Sequence, residues 1–380
     1  MPGTGEYLVL GLIAALTTFA ATPLVERLAH RMGWVVEPDA RRVHTVATPD
    51  VGGIAMFAGF VVAFVVAWMW DAFDPLFARN SEPFGVLLAA AVMFAVGFVD
   101  DVREISAPAK VVGTIVVGVI LVAFGVTMFY FRVPYAGVFI LTNDWIPLIT
   151  VLWLLGMTNA INLIDGLDGL AAGIVAIGAG SFFLYSQRLA DPSIGMLTPP
   201  NIGPLIAILA VGMCVGFLPH NFNPARIFMG DGGALLLGTL MAVSTSVVGG
   251  RADPTAQRFV GQTYFFLAPL FIPLLILGVP ILDTLFAIIR RAARRQGVAS
   301  ADKGHLHHRL MEMGHGQRRS VLILWAWTGL LSAFVLYPVF TNSGVSYVPI
   351  GLAMLGLVLY TVFHPQIRRG RSVRNDGASG

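Results

Sequence analysis

The chain has 380 residues, of which 56% are hydrophobic and 12% charged, with a mean hydropathy of +0.78 and a formal net charge of +3. Soluble domains carry about 25% charged residues, so this composition excludes a water-soluble globular protein and points to a chain solvated by a lipid bilayer. The basic surplus does not imply nucleic acid as a partner, because Lys and Arg flank apolar runs and form no polar domain.

A helix needs about 20 apolar residues to cross the hydrocarbon core, and eleven segments approach that template. The first is Tyr7–Thr22. It reads as a retained span and not a cleaved leader, because no basic stretch precedes it and the apolar run continues without a cleavage site. A loop carrying Arg41, Arg42 and His44 leads to the second, Val51–Trp70. The third, Phe84–Val99, ends on Asp100 and Asp101, adjacent carboxylates that repel unless they share a cation or a proton. Plain helix-end capping is the alternative. Lys110 lies at the start of the fourth, Ala109–Val126.

The fifth span, Trp145–Ile161, runs into Asn159, Asn162, Asp165 and Asp168, whose spacing of three keeps them on one slowly rotating helix face. Gly166 and Gly169 then allow tight turns. Amides and carboxylates together suit a ligand with hydroxyls and acceptors, or a metal; the alternative is hydrogen bonding between helices. The sixth and seventh spans are Leu170–Ser186 and Ile202–Leu218, the latter holding the single cysteine, Cys214, so that no disulfide framework exists. The segment from Asn221 and Asn223 through Phe228 to Gly230-Asp231-Gly232-Gly233 opens the eighth, Ala234–Val248. A glycine-rich turn into a helix offers free N–H groups to phosphate. Asp231 would oppose that phosphate directly, so it is better placed to hold a magnesium ion between them, with an N-cap role as the alternative.

Asp283 lies in the ninth span, Tyr264–Ile289, about 10 Å of helix before Arg290, where it could orient site groups or pair with an arginine. A basic loop then carries His305, His307, His308 and Arg309. Three histidines within four residues are poorly spaced for zinc, and phosphate binding fits better. Val321–Phe340 and Val345–Phe363 complete the set, and residues 365–380 read as a disordered tail, leaving residues 1–364 as one transmembrane domain. An odd number of spans puts the termini on opposite sides. Nineteen of the 24 Lys and Arg residues fall in the loops of one side, which the positive-inside rule assigns to the cytoplasm; the N-terminus is then outside and the C-terminus cytoplasmic. The polar clusters all fall on the cytoplasmic side, although they took no part in that assignment. Continuous apolar runs exclude a strand barrel, so the expected fold is an all-α polytopic membrane protein with its site at the cytoplasmic face of the plasma membrane.

Taken together, Asp100-Asp101, Asn159 to Asp168, Asp231 and His305 to Arg309 resemble the polyprenyl-phosphate N-acetylhexosamine-1-phosphate transferases, from about Arg41 to Arg309 and in the family's order. The family's eleven-span architecture agrees with the count. The resemblance implies transfer of a sugar 1-phosphate from a UDP-sugar to a polyprenyl phosphate, with release of UMP. It further implies that Asp100 and Asp101 are the aspartate pair, the first taking a proton from the lipid phosphate, and that Asp231 binds Mg²⁺, with Mn²⁺ as an alternative ion. Asn159, Asn162, Asp165 and Asp168 would shape the nucleotide-sugar site together with His44, Phe228 would stack on uracil, and Lys110 would meet phosphate. The His-x-His-His form at 305–308 favours the branch that uses UDP-GlcNAc over the one that uses the muramoyl-pentapeptide donor. A homodimer is compatible with this reading. Two other classes compete. A membrane prenyltransferase explains Asp100-Asp101-Val-Arg-Glu104 only partly and the histidine loop not at all, and a secondary transporter should show repeats and midplane polar sites.

Overall fold

The computed structural model describes residues 2–37, 47–78, 80–133, 137–192, 197, 199–251, 310–311, 315–341 and 347–363. Among them the helices, in chain order, are α1 (Thr4–Met32), α2 (Gly53–Met69), α3 (Asp74–Phe77), α4 (Glu82–Arg103), α5 (Ala107–Ala123), α6 (Trp145–Ile164), α7 (Leu170–Ala190), α8 (Gly203–Asn221), α9 (Gly230–Gly249), α10 (Gln317–Thr341) and α11 (Tyr347–Phe363). Every expected span within the described residues is a helix. The ninth, Tyr264–Ile289, lies outside them, as do Asp283, His44, His305, His307, His308, Arg309 and the tail. Among the described residues seven helices are each long and apolar enough to cross a bilayer, and α2 joins them if it counts as one span with α3, from which it is bent by 86°. The chain is a multi-pass membrane protein.

Burial sorts the helices. The apolar window of α9 is 100% buried, with α2, α4, α6 and α8 around it, whereas that of α1 is only 33% buried and turns Leu8, Leu12, Leu16 and Phe19 outward. Apolar side chains gain little by leaving lipid for a helix interface, so close backbone approach must carry the packing. The contact between α1 and α8 shows this: an alanine Cβ at Gly212 would lie 2.2 Å from the carbonyl oxygen of Gly11. α7 packs between α8 and α10, and α11 packs on α10.

Two features depart from the sequence reading. Helix α1 continues to Met32, ten residues beyond the apolar window, because its last turns carry an amphipathic Leu-Val-Glu-Arg-Leu sequence that leaves the hydrocarbon without ending the helix. Two short antiparallel hairpins also form between helices: Val35–Val36 with Thr48–Pro49, and Tyr130–Val133 with Gly137–Ile140. The second is tied to the end of α9 by a Phe129 N–H to Gly250 carbonyl bond of 2.9 Å. Beside it Arg251 bonds Glu82 at 2.6 Å and the Thr127 carbonyl at 3.0 Å.

Candidate active site

The C-terminal ends of α4, α6 and α8 meet the N-terminal ends of α2, α5, α7, α9 and α10 at one end of the bundle. Asp100, Asp101, Lys110, Asp165, Asp168 and Asp231 are gathered there.

The start of α9 is held from two sides. Gly230 has φ +67°, and a Cβ there would sit 2.4 Å from the Asp50 carbonyl oxygen, so glycine is required for this close approach. On one side, the stretch Pro49–Gly53 runs along Phe228 and Met229: Phe228 N–H donates to Pro49 O at 2.8 Å, Gly52 N–H to Phe228 O at 2.9 Å and Gly53 N–H to Met229 O at 2.8 Å. On the other, α4 comes close enough that a Cβ at Gly97 would fall 2.5 Å from the Asp231 carbonyl oxygen. This contact lets Asp101 cap a neighbouring helix. Its two carboxylate oxygens accept the N–H groups of Asp231 at 2.6 Å and Gly232 at 3.0 Å, satisfying donors that a helix start otherwise leaves open. The Gly233 N–H goes to Met229 O at 3.2 Å. The glycine-rich turn therefore does not offer these amides to phosphate, as its sequence suggests; they hold α9 against α4, and Asp101 positions Asp231.

Asp100 faces the other way. Its Oδ1 accepts the Ile105 N–H at 2.7 Å, after the chain reverses at Glu104 with φ +46°. Its Oδ2 lies 2.5 Å from the Lys110 ammonium, which also contacts the Asp231 carboxylate. A single ammonium thus bridges an acid from α4 and an acid from α9.

At the end of α6, Asp165 is half-buried and its carboxylate has no hydrogen-bond partner among the described residues. Burial, reinforced by the carboxylates of Asp50, Asp231 and Asp168, holds its pKa well above the usual carboxylate range. Asp168 is tied down: its Oδ2 accepts the Asn223 amide at 2.8 Å and the Ala225 N–H at 3.0 Å. Asn221 locks the same turn, accepting the Gly169 N–H at 3.0 Å and donating to Ile227 O at 2.9 Å. Of the earlier amides, Asn159 is exposed and donates to Leu155 O of its own helix at 2.7 Å, and Asn162 is half-buried near the helix end. Phe228 is half-buried beside Asp231's turn.

Sequence reasoning passed over Asp50 and Gln317, and it placed Asn221 and Asn223 in a polar cluster without giving them a role. The two asparagines before Pro224 were a legible signal, since an amide at a helix C-terminus often fastens a turn; Gln317 carried none.

Two consequences are measurable. Asp101→Ala leaves two N–H groups of α9 without acceptors, at about 1–3 kcal/mol for a buried donor that loses its partner. Its thermal midpoint in detergent should fall clearly, and that of Asp101→Asn, which keeps one acceptor oxygen, should fall less; equal midpoints for wild type and Asp101→Ala would contradict the capping role. Asp165 acts in the opposite sense. Its folded pKa exceeds the unfolded value of about 3.9, so between the two the folded state binds more protons and stability falls as pH rises. Asp165→Asn should therefore raise the midpoint in metal-free buffer at pH 8 and change it little at pH 4, while lowering activity.

Among the described residues no group of three or more His, Cys, Asp or Glu side chains is disposed as a complete metal cage. The set is nevertheless suited to a hard cation that keeps part of its water shell: all the nearby acids are carboxylates, and a positive group already lies between Asp100 and Asp231.

Residues 83–249 match the family model described as glycosyl transferase family 4. The chain is 35% identical over 371 residues to a decaprenyl-phosphate N-acetylglucosaminephosphotransferase of Mycolicibacterium smegmatis, covering 96% of this chain and 90% of that one. It is 35% identical over 319 residues to a probable undecaprenyl-phosphate N-acetylglucosaminyl 1-phosphate transferase of Bacillus subtilis, covering 83% and 80%. A phospho-N-acetylmuramoyl-pentapeptide-transferase of Desulforudis audaxviator is 33% identical over 347 residues, covering 84% and 94%.

Proposed function

The chain belongs to glycosyl transferase family 4, and from that premise we propose that it transfers N-acetylglucosamine 1-phosphate from UDP-GlcNAc to a polyprenyl phosphate at the cytoplasmic face of the plasma membrane. The observation that carries this reading is the ammonium of Lys110 held between Asp100 and Asp231. A site that packs carboxylates and a lysine together at the end of apolar helices is suited to bringing an anionic lipid headgroup and a diphosphate into contact. The relatives named for N-acetylglucosamine phosphate transfer to decaprenyl or undecaprenyl phosphate support the group transferred and the acceptor in this reading.

In this reading a non-bridging oxygen of the lipid phosphate attacks the β-phosphorus of UDP-GlcNAc. One P–O bond forms, the bond from that phosphorus to the oxygen bridging to the α-phosphate breaks, and UMP departs with the electron pair. Asp100 accepts the proton when the lipid phosphate arrives protonated. Catalysis of such a transfer rests on positioning and on stabilising charge at phosphate oxygens. Lys110 supplies positive charge at the reacting phosphates, and Asp101 fixes Asp231 by capping α9. Asp231 and Asp100 would hold Mg²⁺, which would supply positive charge to offset the negative charge on the reacting phosphates. Asp165, Asp168 and Phe228 border the nucleotide-sugar side, with His305, His307, His308 and Arg309 as further phosphate contacts.

The donor is tested by incubating purified protein in detergent with polyprenyl phosphate and Mg²⁺, offering UDP-GlcNAc or UDP-N-acetylmuramoyl-pentapeptide, and measuring UMP. Release dependent on lipid and on UDP-GlcNAc is expected. Release with the muramoyl donor alone would keep the reaction class and overturn the sugar.

A further inference from the structure

The amide of Asn223 joins three segments that are remote in sequence. Its Nδ2 donates to Asp168 Oδ2 in the α6–α7 turn at 2.8 Å and to Gln317 Oε1 at the first residue of α10 at 2.9 Å. Its own oxygens are engaged as well: Arg318 Nε donates to the Asn223 carbonyl at 2.9 Å and to its side-chain Oδ1 at 3.2 Å. The Ala225 N–H, two residues on, adds a second bond to the same Asp168 oxygen at 3.0 Å. Asp168 therefore has one oxygen fully committed to the α8–α9 loop, while its Oδ1 accepts nothing from the described residues.

Two donors converging on one carboxylate oxygen fix both the rotamer and the plane of the group, and so the direction of the other oxygen. Asn223 is itself fixed, because both its amide protons and its oxygens are used. A side chain meant only to join two loops would not need α10 as a third anchor. From this geometry we infer that Asn223, braced by Gln317 and Arg318, is a positioning residue for donor binding: it holds Asp168 so that Oδ1 meets a hydroxyl or N–H of the nucleotide-sugar. This inference rests on the proposed UDP-GlcNAc reaction. It adds a role for three residues to which neither the family resemblance nor the relatives' names assign one, and it makes the start of α10 part of the donor site's support.

The test compares Asn223→Leu, which keeps volume and loses every side-chain bond, and Gln317→Glu, which keeps the accepting oxygen, with wild type. KM for UDP-GlcNAc and for polyprenyl phosphate are measured separately, together with the thermal midpoint. Loss of this half-buried polar hub is expected to raise the UDP-GlcNAc KM of Asn223→Leu by about tenfold or more, leaving the lipid KM within about twofold. Gln317→Glu should remain near wild type. Should Asn223→Leu prove unfolded, Gln317→Leu, which removes one brace at the surface of the hub, should show the same selective rise with smaller amplitude. Folded variants whose two KM values stay unchanged, or rise together, would overturn the positioning role while leaving the proposed reaction intact. A wild-type protein inactive with UDP-GlcNAc would overturn the reaction, and this inference with it.

Discussion

Asp231→Asn should fold like wild type and release UMP about 10³-fold more slowly, the scale seen when one preorganised electrostatic group is lost from a reacting centre. The fold should survive because the bonds that hold the start of α9 are made by backbone: Asp101 accepts the Asp231 and Gly232 N–H groups, which the asparagine retains. Activity should fall because the substitution removes the charge that faces Asp100 across Lys110. Raising Mg²⁺ should recover part of the rate if the lost charge had been holding the ion. A folded Asp231→Asn protein with wild-type turnover and unchanged Mg²⁺ dependence would remove Asp231 from the site.

Lys110→Met should have the second-largest effect, and it separates two jobs. Turnover should drop by about 10²-fold or more, because the side chain offers the one ammonium among the described residues that touches both Asp100 and Asp231. Metal-free stability should fall as well, since two facing carboxylates lose their shared counter-charge; with the partners partly open to solvent the loss is of order 1–2 kcal/mol, below the value for a fully buried pair. Added Mg²⁺ should then raise the thermal midpoint of Lys110→Met more than that of wild type, because the ion no longer competes with a resident ammonium. Equal Mg²⁺-induced shifts in the two proteins would show that Lys110 and the ion do not share a position.

The spans were legible because membrane crossing is a local property: a run of apolar residues long enough for the hydrocarbon core identifies itself. The gathering of polar groups was legible by parity. Asp100 and Asp165 lie at the ends of α4 and α6 and Asp231 at the start of α9, so antiparallel neighbours bring them to one side. What each residue touches was not legible. Asp101 reaches an amide 130 residues away, and Lys110 reaches a carboxylate 121 residues away; no periodicity records such pairs. The glycines around Asp231 looked like a phosphate cradle because free amides and buried, capped amides share one sequence pattern. The place of α9 at the centre was hidden for a related reason: a helix apolar all round shows no face to orient. The hairpin at Tyr130–Ile140 lay between two spans and was too short to compete with the helical pattern.

UDP-GlcNAc labelled with ³²P at the β-phosphate shows whether a phosphate leaves the nucleotide together with the sugar. After incubation with the purified protein, polyprenyl phosphate and Mg²⁺, the lipid and aqueous phases are separated and counted. Label should move into the lipid phase, with unlabelled UMP as the nucleotide product. Label remaining in the aqueous phase as UDP, with an unlabelled sugar on the lipid, would mean ordinary glycosyl transfer and would contradict the proposed reaction.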